Sequence, residues 1–330
     1  MDKKAFEIQF NWIFVLVAGA TILLFFSVIV IKQKAVSETS TKATVLKSFE
    51  AIITGTSVST DTTSIIDIPS SDIEVSCGRI SLGRVSNQYQ NLVLFSPALI
   101  KGNRLITHTL AFSTPYRATN LLYITSPNLR YIIIGDSNLA REINSSLPSR
   151  LKKEFYNDAT QIKNQNNYKV KFAVFGDMID FPKSLEEMPD SDVEAARFTG
   201  NSWNGIVDFY AKEKSSWQRK GSSAYIGKAS LIGAVYSGKE MYDCNMENIF
   251  FRLNLVTKVY IDKTKKLAQD AASKKQFQCS QIYSSSLNHL SSIGSASKFT
   301  NENVAVVASA AKSLAEESQN AQVYSCPLIY

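Results

Sequence analysis

The stretch Trp12–Ile31, WIFVLVAGATILLFFSVIVI, contains no charged residue. Its length matches one crossing of a bilayer, whose hydrocarbon core takes roughly 20 apolar residues as a helix. Lys3 and Lys4 precede it and Lys32 and Lys34 follow it. A cleavable signal peptide has an apolar core of only ~7–15 residues followed by a small-x-small site. Here Lys32-Gln33-Lys34 follows the core, and Ala18-Gly19-Ala20 lies inside it, so the stretch reads as a retained anchor. The lipid bilayer is therefore the first partner expected, through Trp12 to Ile31.

Sidedness draws on two opposed signals. Lys3 and Lys4 stand before the span, against Lys32, Lys34, Lys42 and Lys47 soon after it. Taken literally, that count places the large domain in the cytoplasm. Long domains cross largely regardless of charge, however. The four cysteines, an even number in a tethered chain, favour an external head held by disulfides. The expected localisation is a cell membrane, single-pass, with the head outside. Ahead of the span, Glu7 and Asn11 share one helix face and Phe6 and Phe10 another, an interfacial lead-in with Trp12 as aromatic anchor.

With 45% hydrophobic and 20% charged residues, the chain beyond the anchor is globular. Net charge is +7, but the basic residues are scattered. Nucleic-acid recognition needs them on one face with a groove-entering element, and none is visible. Cys77, Cys244, Cys279 and Cys326 form no CxxC pair, and His108 and His289 are the only histidines, which argues against a thiolate zinc site. Cys244 with Cys279 is the first candidate bridge, since both fall in successive helical segments. Cys77 with Cys326 follows by subtraction, and three pairings are formally possible.

The expected fold class is α/β in the mixed α+β sense. Residues 1–33 form the lead-in and anchor, 34–64 a helical stalk and Ser/Thr-rich linker, 65–228 a β-rich and α/β head, and 229–330 a helical region. Val36, Ala43, Leu46, Phe49 and Ile53 recur at helical spacing in the stalk. Strands are expected at 65–68, 73–77, 79–82, 91–95, 104–112 and 121–125, with turns at 69–72 and 101–103. His108, on one of these strands, reads as a satisfied structural histidine. The run Tyr131–Ile134 is wholly apolar, and helices over 139–147 and 151–163 lead to a strand over 168–175. That βαβ pattern argues for parallel pairing. Shorter strands at 193–198, 205–212 and 223–226 read as antiparallel, and Phe181–Asp192 as an acidic, solvated loop. Helices over 240–272, 276–293 and 301–319 close the chain.

Two stretches bear on chemistry. Gly135-Asp136 and Gly176-Asp177 end two apolar strands, where ligands bind in open α/β sheets, and with Asp180 could hold a divalent cation. Ile134-Gly135-Asp136-Ser137 also resembles the first block of the GDSL (SGNH) hydrolases, which implies Ser137 as nucleophile. That family draws its base from a late Asp-x-x-His. Here Ser286 stands three residues before His289, where the aspartate belongs, and no Gly-x-Asn-Asp oxyanion block occurs. The plainer reading is a sharp turn at Gly135 and a helix capped by Asp136. Asn144-Ser145-Ser146 is a glycosylation sequon. No catalytic residue is assigned on this basis, Asp136, Ser137 and Asp177 remaining candidates, and no cofactor is called for.

Lys3-Lys4-Ala5 is similar to the processing site of class III signal peptides, although cleavage there would leave Glu7 second and not fifth, where type IV pilins keep a glutamate. The segments AFEIQFNWIFVLVAGATILLFF, LIKGNRLITHTLAF and PYRATNLLYITSP together resemble single-pass membrane-anchored proteins of small-genome archaea for which no activity is known. The resemblance implies an archaeal membrane setting. The function expected is cell-surface binding or assembly, with envelope or pilus-like protein partners and no nucleic acid. The alternative is a membrane-tethered hydrolase or metal-dependent enzyme built on Asp136, Ser137 and Asp177.

Overall fold

The computed structural model describes residues 3–56, 59–83, 85–89, 92–158, 162–163, 165 and 167–330. Helix α1 (Lys3–Thr56) runs unbroken for 54 residues. Its segment Val15–Lys34, 20 residues of mean hydropathy 2.5, has no buried residue and is long and apolar enough to cross a membrane. Beyond that segment the helix is not a free stalk. Val45 is buried in a cluster with Ile68, Ile80 and Leu82 of the first sheet.

That sheet comprises β1 (Thr63–Ser76), β2 (Arg79–Leu82), β3 (Val85–Gln88), β4 (Leu94–Phe95), β5 (Leu99–Ser113) and β6 (Arg117–Thr125), in the order β3-β2-β1-β5-β6-β4. Pairing is antiparallel except between β4 and β6. Alternation along β6 divides its side chains: Leu121 and Tyr123 join the main core, while Leu122 and Ile124 join the cluster that holds Val45. The turns expected at 69–72 and 101–103 are instead parts of β1 and β5. The register shifts between Asp67 and Ser71, and Ser71 stands opposite Gly102. A bulge admits Pro69, which has no N–H for the ladder.

The second sheet comprises β7 (Leu129–Ile134), β8 (Lys152–Tyr156), β9 (Lys169–Phe175), β10 (Val193–Gly200), β11 (Asn204–Glu213) and β12 (Ser216–Ile226), ordered β12-β11-β10-β9-β7-β8. The expected parallel pairing of β7 with β9 is present. Helix α2 (Asn138–Ser146) follows β7. The helix expected over 151–163 is corrected: β8 occupies 152–156 and pairs parallel with β7, and residues 159–161 lie outside the described residues. A fully buried strand needs hydrogen-bond partners on both sides, and that demand overrides helical spacing. Fully buried Arg130 on β7 fixes the register, donating from Nε to Glu154 on β8 at 2.9 Å and from Nη1 to the Lys163 carbonyl at 2.6 Å. A further correction concerns β10, which is parallel to β9 and antiparallel only to β11.

Helix α3 (Gly227–Tyr236) is buried from Ser230 to Tyr236 and touches both sheets. A helix apolar on every side has no place but the interior. Helices α4 (Lys239–Ser273), α5 (Phe277–Ser295) and α6 (Asn301–Val323) form the outer layer, α4 against α5 and α5 against α6. The segment 178–192 covers the opposite face of the second sheet. Far from being fully solvated, it buries Leu185 and stacks Phe181 edge-on to Trp217 at 4.9 Å. The architecture is mixed α+β, as expected.

All four cysteines are bridged, but not in the pairing expected. Cys77 joins Cys244, and Cys279 joins Cys326. The correction has a geometric cause. Cys244 sits near the start of α4, and α5 begins only after that helix ends. Twenty-nine residues of helix separate Cys244 from the far end of α4, about 40 Å at ~1.5 Å per residue. A disulfide tolerates only ~7 Å between Cα atoms.

Candidate functional site: a cleft at the seam of the two sheets

The strand-end residues singled out in the sequence are close in the fold but differ in role. Because β7 and β9 are neighbours in register, Gly135-Asp136 and Gly176-Asp177 leave the sheet side by side. Gly135 has φ +139°, and a Cβ there would stand 2.6 Å from the Phe175 carbonyl oxygen, so only glycine fits. Ser137 caps α2, its Oγ accepting from the Ala140 N–H at 3.2 Å. The cap is therefore Ser137 and not Asp136, which is exposed. Ser137 is at the required point because its backbone is extended and its hydroxyl reaches the third following N–H. Asp177 is exposed and faces Arg197 at 3.4 Å, while Arg197 Nε donates to the Gly176 carbonyl at 2.8 Å. Among the described residues no group of three or more His, Cys, Asp or Glu side chains is placed to hold a metal.

The two histidines lie on other elements. His108 faces Tyr123 across the β5–β6 ladder, with ring centroids 5.6 Å apart. It is buried, but its Nδ1 has no hydrogen-bond partner among the described residues, so the expectation of a satisfied histidine is corrected. Burial lowers its pKa, against a weaker opposing pull from Asp61. His289 lies on α5, as does Ser286, whose buried Oγ is likewise unpartnered.

A well-formed concavity lies elsewhere. A cleft of about 640 Å³ opens where the β1–β2 turn, strands β9 to β12 and the α3–α4 turn meet. Its walls are mostly apolar. Its polar feature comes from Lys169-Val170-Lys171 on β9, which alternation places with both lysines on one face. Glu194 on β10 is the register partner of Lys171. Lys171 Nζ lies 3.1 Å from Glu194 Oε2 and donates to the Tyr236 carbonyl at 2.8 Å. Lys169 Nζ donates to Glu194 Oε1 and, at 2.9 Å, to the Ser191 carbonyl.

Lys171 is only 4% exposed. Burial, with Lys169 adding to it, lowers its pKa to about 8 against the pull of Glu194. Burial alone would raise the Glu194 carboxyl, yet Lys171 and Lys169 bring it down to about 2. Each Glu194 oxygen thus answers one ammonium. Lys171, which lines the cleft, uses two of the three donors an ammonium carries.

The rim is made by α4 and β12. Helix α4 starts at Gly238 with no side-chain cap. Lys239 pairs with Asp243, which also accepts from Ser223 Oγ. The Lys239 stem crosses β12 at Gly221, where a Cβ would meet Lys239 Cε at 2.5 Å. Glu240 and Lys220 complete the edge, and the Cys77–Cys244 bridge pins one wall to α4. Lys171 and Glu194 escape a motif search. The signal that exposes them is two lysines inside Tyr168–Phe175, a strand otherwise apolar enough to be buried, because buried charges are rare unless paired.

No protein-family model, curated protein or solved structure matches the chain.

Proposed function

We propose that the chain is a membrane-anchored binding protein whose head faces out of the cytoplasm and takes its ligand at the α3–α4 cleft. The observation that carries the reading is the cysteine usage. All four thiols are spent in two bridges that tie the first sheet to α4 and α5 to the C-terminal tail. Such bridges persist in oxidising compartments and are rare in the cytosol. The long apolar segment of α1 supplies the tether. Val45 lies about 16 Å beyond that segment, so the head is held close to the bilayer and not at the end of a free stalk. Binding is favoured over catalysis because Ser137 is committed to a helix cap while the cleft gathers apolar walls around one charged cluster.

The test is thiol labelling on intact cells, then after denaturation with and without reductant. An external head gives labelling only after denaturation and reduction, and protease added to intact cells removes it. Four thiols that label after denaturation alone, with a head that protease reaches only after lysis, would reverse the assignment.

A further inference from the structure

We propose that the cleft binds an apolar monocarboxylate, its carboxylate held by Lys171 and its hydrocarbon body laid along Ala98, Ala196, Phe209 and Met241. The inference rests on the binding reading above and adds the chemical class of the ligand. A volume of about 640 Å³ falls within the roughly 300–1,000 Å³ of small-molecule sites. Apolar walls with few polar groups select a largely apolar molecule.

The charge follows from the buried cluster. Lys169 and Lys171 face a single carboxylate, so the cluster carries one positive charge in excess. A buried ammonium with a donor to spare gains most from an anion that neutralises it. The uncapped first turn of α4, at Gly238 to Met241, lines the same cleft and adds partial positive charge. One excess charge matches one carboxylate. A phosphate dianion would need a ring of donors, and Glu240 on the rim opposes it.

The experiment uses the full chain in lipid nanodiscs and three soluble probes: 4-phenylbutyrate, 4-phenylbutyramide and inorganic phosphate, titrated calorimetrically. The acid is expected to bind at least tenfold more tightly than the amide, with phosphate silent. Lys171→Met is expected to weaken the acid at least tenfold. Ala98 is exposed on the cleft wall, so Ala98→Trp fills the cleft without disturbing the core and is expected to abolish binding with an unchanged melting temperature. That second variant decides the matter even if Lys171→Met fails to fold. Equal binding of acid and amide, or displacement of the acid by phosphate, overturns the carboxylate assignment. If Ala98→Trp still blocks those ligands, the binding cleft stands without it. Silence of all three probes, or acid binding that survives Ala98→Trp, also overturns the inference. The external placement of the head is read independently from thiol labelling.

Discussion

Asn245 holds both main-chain groups of Leu94. Its Oδ1 accepts from the Leu94 N–H at 2.9 Å, and its Nδ2 donates to the Leu94 carbonyl at 2.7 Å. One side chain of α4 thus takes the place of a neighbouring strand for β4, at the edge of the first sheet. Asn245 is fully buried, so nothing else satisfies those groups once it is lost. Asn245→Leu is expected to cost roughly 2–6 kcal/mol, since it orphans two buried groups at about 1–3 kcal/mol each. Asn245→Asp keeps the acceptor but sets a carboxylate against the Leu94 and Met241 carbonyls in a fully buried site, and is expected to lose at least as much. Urea unfolding of the two variants checks the order.

The bridges close long loops. Sequence separations of 167 and 47 residues predict stabilisation of roughly 4–5 kcal/mol each on chain entropy. Peptide mapping of the oxidised protein should find Cys77 with Cys244 and Cys279 with Cys326. Cys279→Ser with Cys326→Ser is expected to loosen α5 and the tail while leaving the first sheet joined to α4. Hydrogen exchange would show that division.

The charged cluster makes stability depend on pH at both ends. Glu194 falls from an ordinary 4.5 to about 2, so the unfolded chain takes its proton first and stability is lost as pH drops from about 4.5 towards 2. Lys171 falls from 10.5 to about 8, so the unfolded chain keeps its proton longer and stability rises as pH climbs from about 8 towards 10.5. Lys169 faces the same carboxylate, and Lys239, Glu240 and Lys220 bound the cleft above it. Glu194→Gln should flatten the acid limb and Lys171→Met the alkaline one. Melting temperature against pH for the wild type and both variants reads the effect.

At the end of β7, Gly135→Ala forces a side chain against the Phe175 carbonyl at a backbone angle that L residues rarely adopt. Its cost is expected to exceed that of Ser137→Ala, which removes one helix cap and is worth about 1 kcal/mol. Asp136→Asn touches neither and should be within experimental error of the wild type. Chemical denaturation of the three variants is the check.

Local pattern made some of this chain readable. A charge-free run of spanning length has one common solution, and strong alternation or a long apolar face names its own element, so α1, β7, β9 and the three last helices could be read directly. The 151–163 segment could not. Its helical spacing gave way because β7 needed a second partner, and that partner lies outside any local window. Ser137 was legible as part of a turn, but the choice between Ser137 and Asp136 as cap depends on backbone angles that residue type does not set.

By itself the sequence determined the apolar segment, the mixed α+β class and the presence of four cysteines able to pair. Only the tertiary structure decided which cysteines pair, because the length of α4 keeps Cys244 far from Cys279 and the first sheet brings Cys77 beside it. The cleft, too, was a tertiary decision. Lys171, Glu194 and the Tyr236 carbonyl meet only when parallel pairing sets β10 against β9 and α3 is packed between the sheets, and no local spacing encodes that meeting.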